Sequence, residues 1–165
     1  QVEGAGRKLQ EPDEGTDPEA PGPQDPAWYA IAWGERGVRE TAGAVHNPRI
    51  LEYHGTTTLG AHTDEVAWCS SFVNWVMKKA GRSRTHSAAA RSWQTYGKKL
   101  VRPVRGCIAV FKRGEPHQGH VGFYVGQDAD TIHVLGGNQE NQVKVHRYKK
   151  AALLGYRWPE EMALP

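Results

Sequence analysis

The chain has 165 residues, enough for one domain with an appendage but not for two full domains. Hydrophobic residues make up 38%, sufficient for a core, yet no apolar run approaches the ~18 residues of a membrane span. Two cysteines exclude a disulfide scaffold and a clustered structural zinc site, and the formal charge of +3 suggests a balanced chain.

The charge is not balanced locally. Residues 1–26 hold seven acidic groups against Arg7 and Lys8, a net of −5, and five of the ten prolines. So polar a stretch buries too little surface to offset its ordering entropy, and it is expected to be a disordered, acidic, proline-rich linker. It starts on Gln1 with no signal peptide ahead of it, so the chain is expected to be a processed form or the C-terminal module of a longer protein. Residues 27–165 carry 19 basic and 11 acidic groups, a net of +8, and are expected to form the folded domain.

The period of the hydrophobic pattern changes partway along that domain. Ala27–Val38 is expected to be a first helix weakened by Gly34 and Gly37, and His54–Asp64 reads as loop. Cys69–Ala80 reads as a strong helix, with Phe72, Val73, Val76, Met77 and Ala80 on one face and Gly81 as its stop. Ser87–Tyr96 is a shorter helix ended by Gly97. After Leu100 the period falls to two: Gly106–Phe111, Gly119–Gly126, Thr131–Leu135, Gln142–Tyr148 and a short Gly155–Trp158 are the expected strands. Helices followed by an antiparallel meander give an α+β fold, with N-terminal helices packed on a C-terminal sheet.

The chemistry is expected where these halves meet. Cys69 opens the strong helix and points to its inner face, where the positive end of the helix dipole favours thiolate. A small buried core thiol is the alternative. His120 alternates with Gly122 and Tyr124 away from Val121, Phe123 and Val125, and Gly122 beside it leaves room for a ligand. With a turn centred near Asp128, antiparallel pairing sets residue 120 against 136–138, so Asn138 can accept from one imidazole nitrogen and turn the other toward the thiol. This is the nucleophile, base and orienter arrangement of cysteine hydrolases.

The segment Asp64-Glu65-Val66-Ala67-Trp68-Cys69-Ser70-Ser71-Phe72-Val73-Asn74-Trp75 resembles the nucleophile motif of NlpC-type and CHAP (cysteine, histidine-dependent amidohydrolase/peptidase) cell-wall hydrolases. Gly119-His120-Val121-Gly122-Phe123-Tyr124 is similar to their histidine strand. Gly136-Gly137-Asn138-Gln139-Glu140-Asn141-Gln142-Val143 is similar to the third-residue strand of the branch found in phage lysins and secreted antibacterial effectors. The resemblance implies a papain-like fold and hydrolysis of amide bonds in peptidoglycan stem peptides, with no cofactor or metal. Carried over, Cys69 is the nucleophile, His120 the base and Asn138 the third member, with Gln139 and Asn141 as alternatives because the hairpin register is open by a residue or two. The Cys69 backbone N–H would be one oxyanion donor. Two positions depart from the pattern: Cys107 follows Gly106 where Asp is usual, and Ala67 stands where Pro is frequent.

Tyr53, Trp68 and Trp93 could line a substrate groove, with core packing the default for each, and Gln139 is a further candidate. His117 and His120 form an H-x-x-H without a third ligand, so no zinc site is expected. Asp64 and Glu65 are read as complementing the helix N-terminus rather than binding Ca²⁺. Cys107 reads as structural, and the remaining histidines as surface or packing residues. The basic domain suits an anionic partner. Lys78, Lys79, Arg82 and Arg84 cluster at a helix end but equally complement its dipole, so peptidoglycan is favoured over nucleic acid. The expectation is a monomeric hydrolase working in the periplasm or cell wall, as a lysin or as an effector met by a cognate immunity protein. A protein deamidase or transglutaminase with the same triad, and a non-catalytic wall-binding module, are the alternatives.

Overall fold

A computed structural model describes residues 17–41, 46–58 and 67–165. Among the described residues three helices, two 3-10 turns and six strands follow in order: α1 (Ala27–Gly34), α2 (Pro48–His54), α3 (Cys69–Lys79), the 3-10 turn Ala90–Thr95, then β1 (Lys98–Leu100), β2 (Ile108–Lys112), β3 (Gly119–Gln127), β4 (Thr131–Gln139), β5 (Gln142–Lys149), a short second 3-10 turn Lys150–Ala152 and β6 (Leu153–Trp158). The strands form one antiparallel sheet in the order β1-β6-β2-β3-β4-β5. This is the expected α+β architecture, helices first and a meander after them.

The central helix α3 is held by its apolar face. Phe72, Val73, Val76 and Met77 are fully buried, each worth about 1.5–3 kcal/mol relative to exposure. Phe72 meets Phe123 of β3 edge-on at 6.3 Å, which fixes the helix against the sheet. Lys78 and Lys79 in the last turn complement the negative end of the helix dipole. At the other end Trp68 offers no side-chain cap and the first turn has no acidic residue, so among the described residues no side chain caps the N–H groups around Cys69.

Two elements go beyond the sequence reading. Helix α2 is capped by Asn47, whose side chain accepts from the Arg49 N–H at 2.9 Å, with Pro48 at the first helical position. That pair is a start signal, though the helix is only 7 residues long. Strand β1 is a three-residue edge strand, too short for alternation to register.

The expected linker ends sooner than residue 26. Residues 17–26 lie against the domain, because Arg105 donates to the Pro18 carbonyl at 2.6 Å, the Ala20 carbonyl at 3.2 Å and the Asp25 carboxylate at 2.7 Å. Tyr29 Oη donates to the Glu19 carbonyl at 2.7 Å. Composition argued for disorder, but one guanidinium with five donors gathers three acceptors from the segment. Residues 1–16 of that linker, and Asp64 and Glu65, lie outside the described residues.

Candidate active site

Cys69 is the first residue of α3, only 5% exposed, and both it and Cys107 are free thiols. The sulphur lies against the backbone N–H of Val121, the residue after His120, and against the N–H groups of Ser70 and Cys69 itself. Burial nevertheless holds the thiol above its ordinary pKa, although these donors and the charge of Arg113 act to lower it. The helix start was expected to favour thiolate; burial acts against it. Cys107 is buried too, and although backbone groups of Val104 and of Cys107 itself act the other way, burial pushes its thiol up to about 12.

His120 sits one residue into β3 and is 1% exposed. Its Nε2 lies 2.8 Å from Gln139 Oε1. The direction of that bond follows from Gln139's other contacts. Gln139 Nε2 donates to the carbonyls of Val134 at 3.1 Å and Lys144 at 2.6 Å, so both amide hydrogens are committed and the oxygen faces the ring. Only a protonated Nε2 can donate to it. His120 is therefore the Nε2–H tautomer, and Nδ1 carries the lone pair. That Nδ1 is buried and has no hydrogen-bond partner. Burial, with a smaller contribution from Arg113, brings the imidazole down to about 4, so it is neutral at pH 7.

Tyr148 of β5 completes the set, and nothing in the sequence reading singled it out. Its ring stacks on His120, with centroids 4.8 Å apart and planes at 22°. Its hydroxyl donates to the same Gln139 Oε1 at 3.0 Å. The imidazole is thus clamped on its face by an aromatic ring and on its edge by an amide.

The carboxamide on His120 belongs to Gln139, and the expectation of Asn138 is corrected. The register argument was sound as far as it went, since Phe123 pairs with Leu135 and Tyr124 with Val134. Continued, that ladder would set His120 against Asn138. The β3–β4 ladder instead ends at Phe123, and β4 shifts register against β5 between Gly136 and Gln139. Asn138 has φ +57°, in the left-handed region, so the strand turns there. Gln139, 2% exposed, then folds back over Gly136, where an added Cβ would lie 2.7 Å from its Oε1 and 3.5 Å from His120 Nε2. Glu140 and Asn141, at φ +56° and +62°, form the tight two-residue turn to β5, which removes Asn141 from the site.

The groove expected around Tyr53, Trp68 and Trp93 does not exist: all three are fully buried. Tyr53 packs on Trp68, Phe72 and Trp75 and donates to Glu35 at 2.6 Å. Trp68 donates to Glu40 at 2.8 Å and Trp93 to Ser70 Oγ at 2.8 Å. Each ring buries its area in the core and pairs its one polar atom there. Gly122 leaves no room for a ligand either, because Val134 fills the space beside it. The groove that does reach the nucleophile, about 360 Å³, is lined by Ala67, Cys69, Ala88, Ala90, Arg113, His117, Gln118 and Gly119. His117 faces this groove while His120 is buried, so the H-x-x-H pair diverges. Among the described residues no three His, Cys, Asp or Glu side chains converge on a metal position, and no helix is long and apolar enough to cross a membrane.

A thiol at a helix start beside a strand histidine held by an amide is the arrangement that the family comparison meets. Residues 61–138 match the CHAP domain family. CHAP domains are cysteine- and histidine-dependent, and the match takes in Cys69 and His120. It ends at Asn138, one residue short of the amide that holds the histidine. The helix-then-sheet order agrees with the papain-like fold of CHAP domains. No curated protein matches the chain.

Proposed function

We propose that this domain cleaves an amide bond in or next to the peptidoglycan stem peptide through an acyl-enzyme on Cys69. His120 Nδ1 takes the Cys69 proton as the sulphur attacks the substrate carbonyl. The tetrahedral oxyanion is received by the uncapped N–H groups at the start of α3, with that of Cys69 first. The C–N bond then breaks as His120 returns the proton to the leaving amine. Water, deprotonated by the same nitrogen, hydrolyses the thioester and regenerates the thiol. Gln139 accepts from Nε2–H throughout and stabilises the imidazolium as it forms, with Tyr148 holding the ring.

The observation that carries this reading is the one orphaned atom of the site. Nδ1 of a buried histidine lacks a partner while its other nitrogen is fixed by an amide whose own hydrogens are both used. Buried polar atoms are nearly always satisfied, so an unpaired nitrogen on the histidine next in sequence to Val121, whose N–H meets the Cys69 sulphur, is a candidate for chemistry. The net +8 of residues 27–165 suits an anionic wall, and the proposed site of action is therefore the wall compartment. Incubation with purified sacculi, read by mass spectrometry, tests the proposal. New amine and carboxyl termini are expected from the wild-type protein and none from Cys69→Ala. Equal product from both proteins would overturn the mechanism, and intact muropeptides with wild type would overturn the substrate.

A further inference from the structure

The groove over Cys69 is lined by unlike materials. Ala67, Ala88 and Ala90, from the segments before α3 and before the 3-10 turn, give it small apolar positions that admit an extended backbone with short side chains. The β2–β3 loop supplies Arg113, His117, Gln118 and Gly119. That loop is tied down: Arg91 Nε donates to the Gln118 carbonyl at 2.7 Å, and an added Cβ on Gly119 would lie 2.8 Å from the Phe111 carbonyl oxygen and 3.2 Å from Arg91 Nε. Arg91 is thus committed to holding the loop, and the other loop arginine is not. Among the described residues Arg113 has no ion pair and no hydrogen bond, whereas Arg49 and Arg105 each hold a carboxylate. Its charge is nonetheless felt by three groups of the site, Cys69, His120 and Tyr148.

An unpaired guanidinium on the rim of a groove, close enough to bias the nucleophile and the base below it, is a recognition element for an anion. We propose that Arg113 is a carboxylate subsite: the groove takes stem peptides carrying a free carboxylate next to the scissile amide and discriminates against the same peptide with that carboxylate amidated. This inference rests on the peptidoglycan reading and names its substrate class. Peptide chemistry offers such a pair directly, since the γ-linked D-glutamate of a stem peptide has an α-carboxyl that occurs free or as the amide. A planar guanidinium matches the carboxylate with two parallel N–H···O bonds, and an amide accepts only one and brings no charge. Binding also feeds back on the chemistry. The field of Arg113 disfavours the imidazolium of His120, and a carboxylate seated on the guanidinium cancels that field when the base must take its proton.

The test uses two synthetic stem peptides, identical except for the free or amidated α-carboxyl, and measures binding to the Cys69→Ala protein by fluorescence anisotropy. The acidic peptide is expected to bind about tenfold more tightly at low salt, with the ratio shrinking as salt is raised. Arg113→Gln is expected to bring the ratio to about one, and Arg113→Lys to retain part of it. A ratio near one with Arg113 intact, an unchanged ratio in Arg113→Gln, or no binding of either peptide would overturn the subsite. Cleavage by the wild-type protein is scored in parallel on both peptides and on sacculi. Failure there removes the peptidoglycan reading, and the binding ratio still decides whether Arg113 selects a carboxylate.

Discussion

Two buried polar networks flank the first turn of α3, and they differ in one atom. On one side Ser70, Asn74 and Trp93 tie the helix to the segment before the 3-10 turn. Ser70 Oγ donates to the Ser87 carbonyl at 2.6 Å and accepts from Trp93 at 2.8 Å, while Asn74 donates to the Ser87 carbonyl at 3.1 Å and accepts from the His86 N–H at 2.8 Å. Every polar side-chain atom there has a partner. On the other side His120, Gln139 and Tyr148 are as deeply packed and as well bonded, apart from Nδ1 of the histidine. A complete network is what a fold needs to bury polar groups. The incomplete one keeps a single unpaired lone pair, on Nδ1 of His120. On the proposed mechanism, adjacent residues of one helix, Cys69 and Ser70, serve chemistry and architecture respectively.

Substitutions in the two networks should therefore fail in different ways. The largest effect is expected from Cys69→Ala and His120→Ala, each lowering kcat/KM on sacculi by about a thousandfold or more, since members of such a set act as a unit. Their far-UV spectra should match wild type. Acid should follow in size. The pKa of His120 is lower in the folded protein than the ordinary 6.5, down to about 4. The unfolded chain therefore binds more protons between these values, and stability should be full above about pH 6.5 and fall as pH drops toward 4. In the free enzyme kcat/KM should hold to about pH 5 and then fall as the imidazole protonates. An acid limb centred near 6.5 would place His120 in water rather than in this clamp.

Tyr148→Phe keeps the stacked ring and removes one donor to Gln139. It is expected to lower kcat by a few-fold and shift the acid limb, with little change in KM, because the residue positions the base and does not touch substrate. A loss confined to KM would instead put Tyr148 in the groove. In the structural network Asn74→Ala should behave oppositely. It leaves buried partners unpaired and should cost about 2–4 kcal/mol in chemical denaturation, with kcat per folded molecule retained. If Asn74→Ala also abolished turnover in fully folded protein, the division between the two networks would be wrong.

The fold was legible because its signals are local. The amphipathic run from Phe72 to Met77, the glycine after the helix and the alternation in residues 119–126 each follow from period and turn chemistry. Cys69 and His120 were legible for the same reason, as the first residue of that helix and an early residue of that strand. The third group was not. Its identity depends on a register shift and a left-handed Asn138, and period-two reasoning carries a register straight through such a defect. Large aromatics near a nucleophile suit a binding site and a core alike, and Tyr53, Trp68 and Trp93 took the default and went to the core. Arg113 carries no pattern at all; its place on the rim of the Cys69 groove, seen only in three dimensions, singles it out.

The claim that His120 is held by Gln139, and through it aimed at Cys69, is tested most directly by kcat/KM on sacculi for Gln139→Ala and Asn138→Ala measured side by side. Gln139→Ala should lose about a hundredfold or more and Asn138→Ala no more than a few-fold, with both proteins folded. Full activity in Gln139→Ala together with collapse in Asn138→Ala would contradict it.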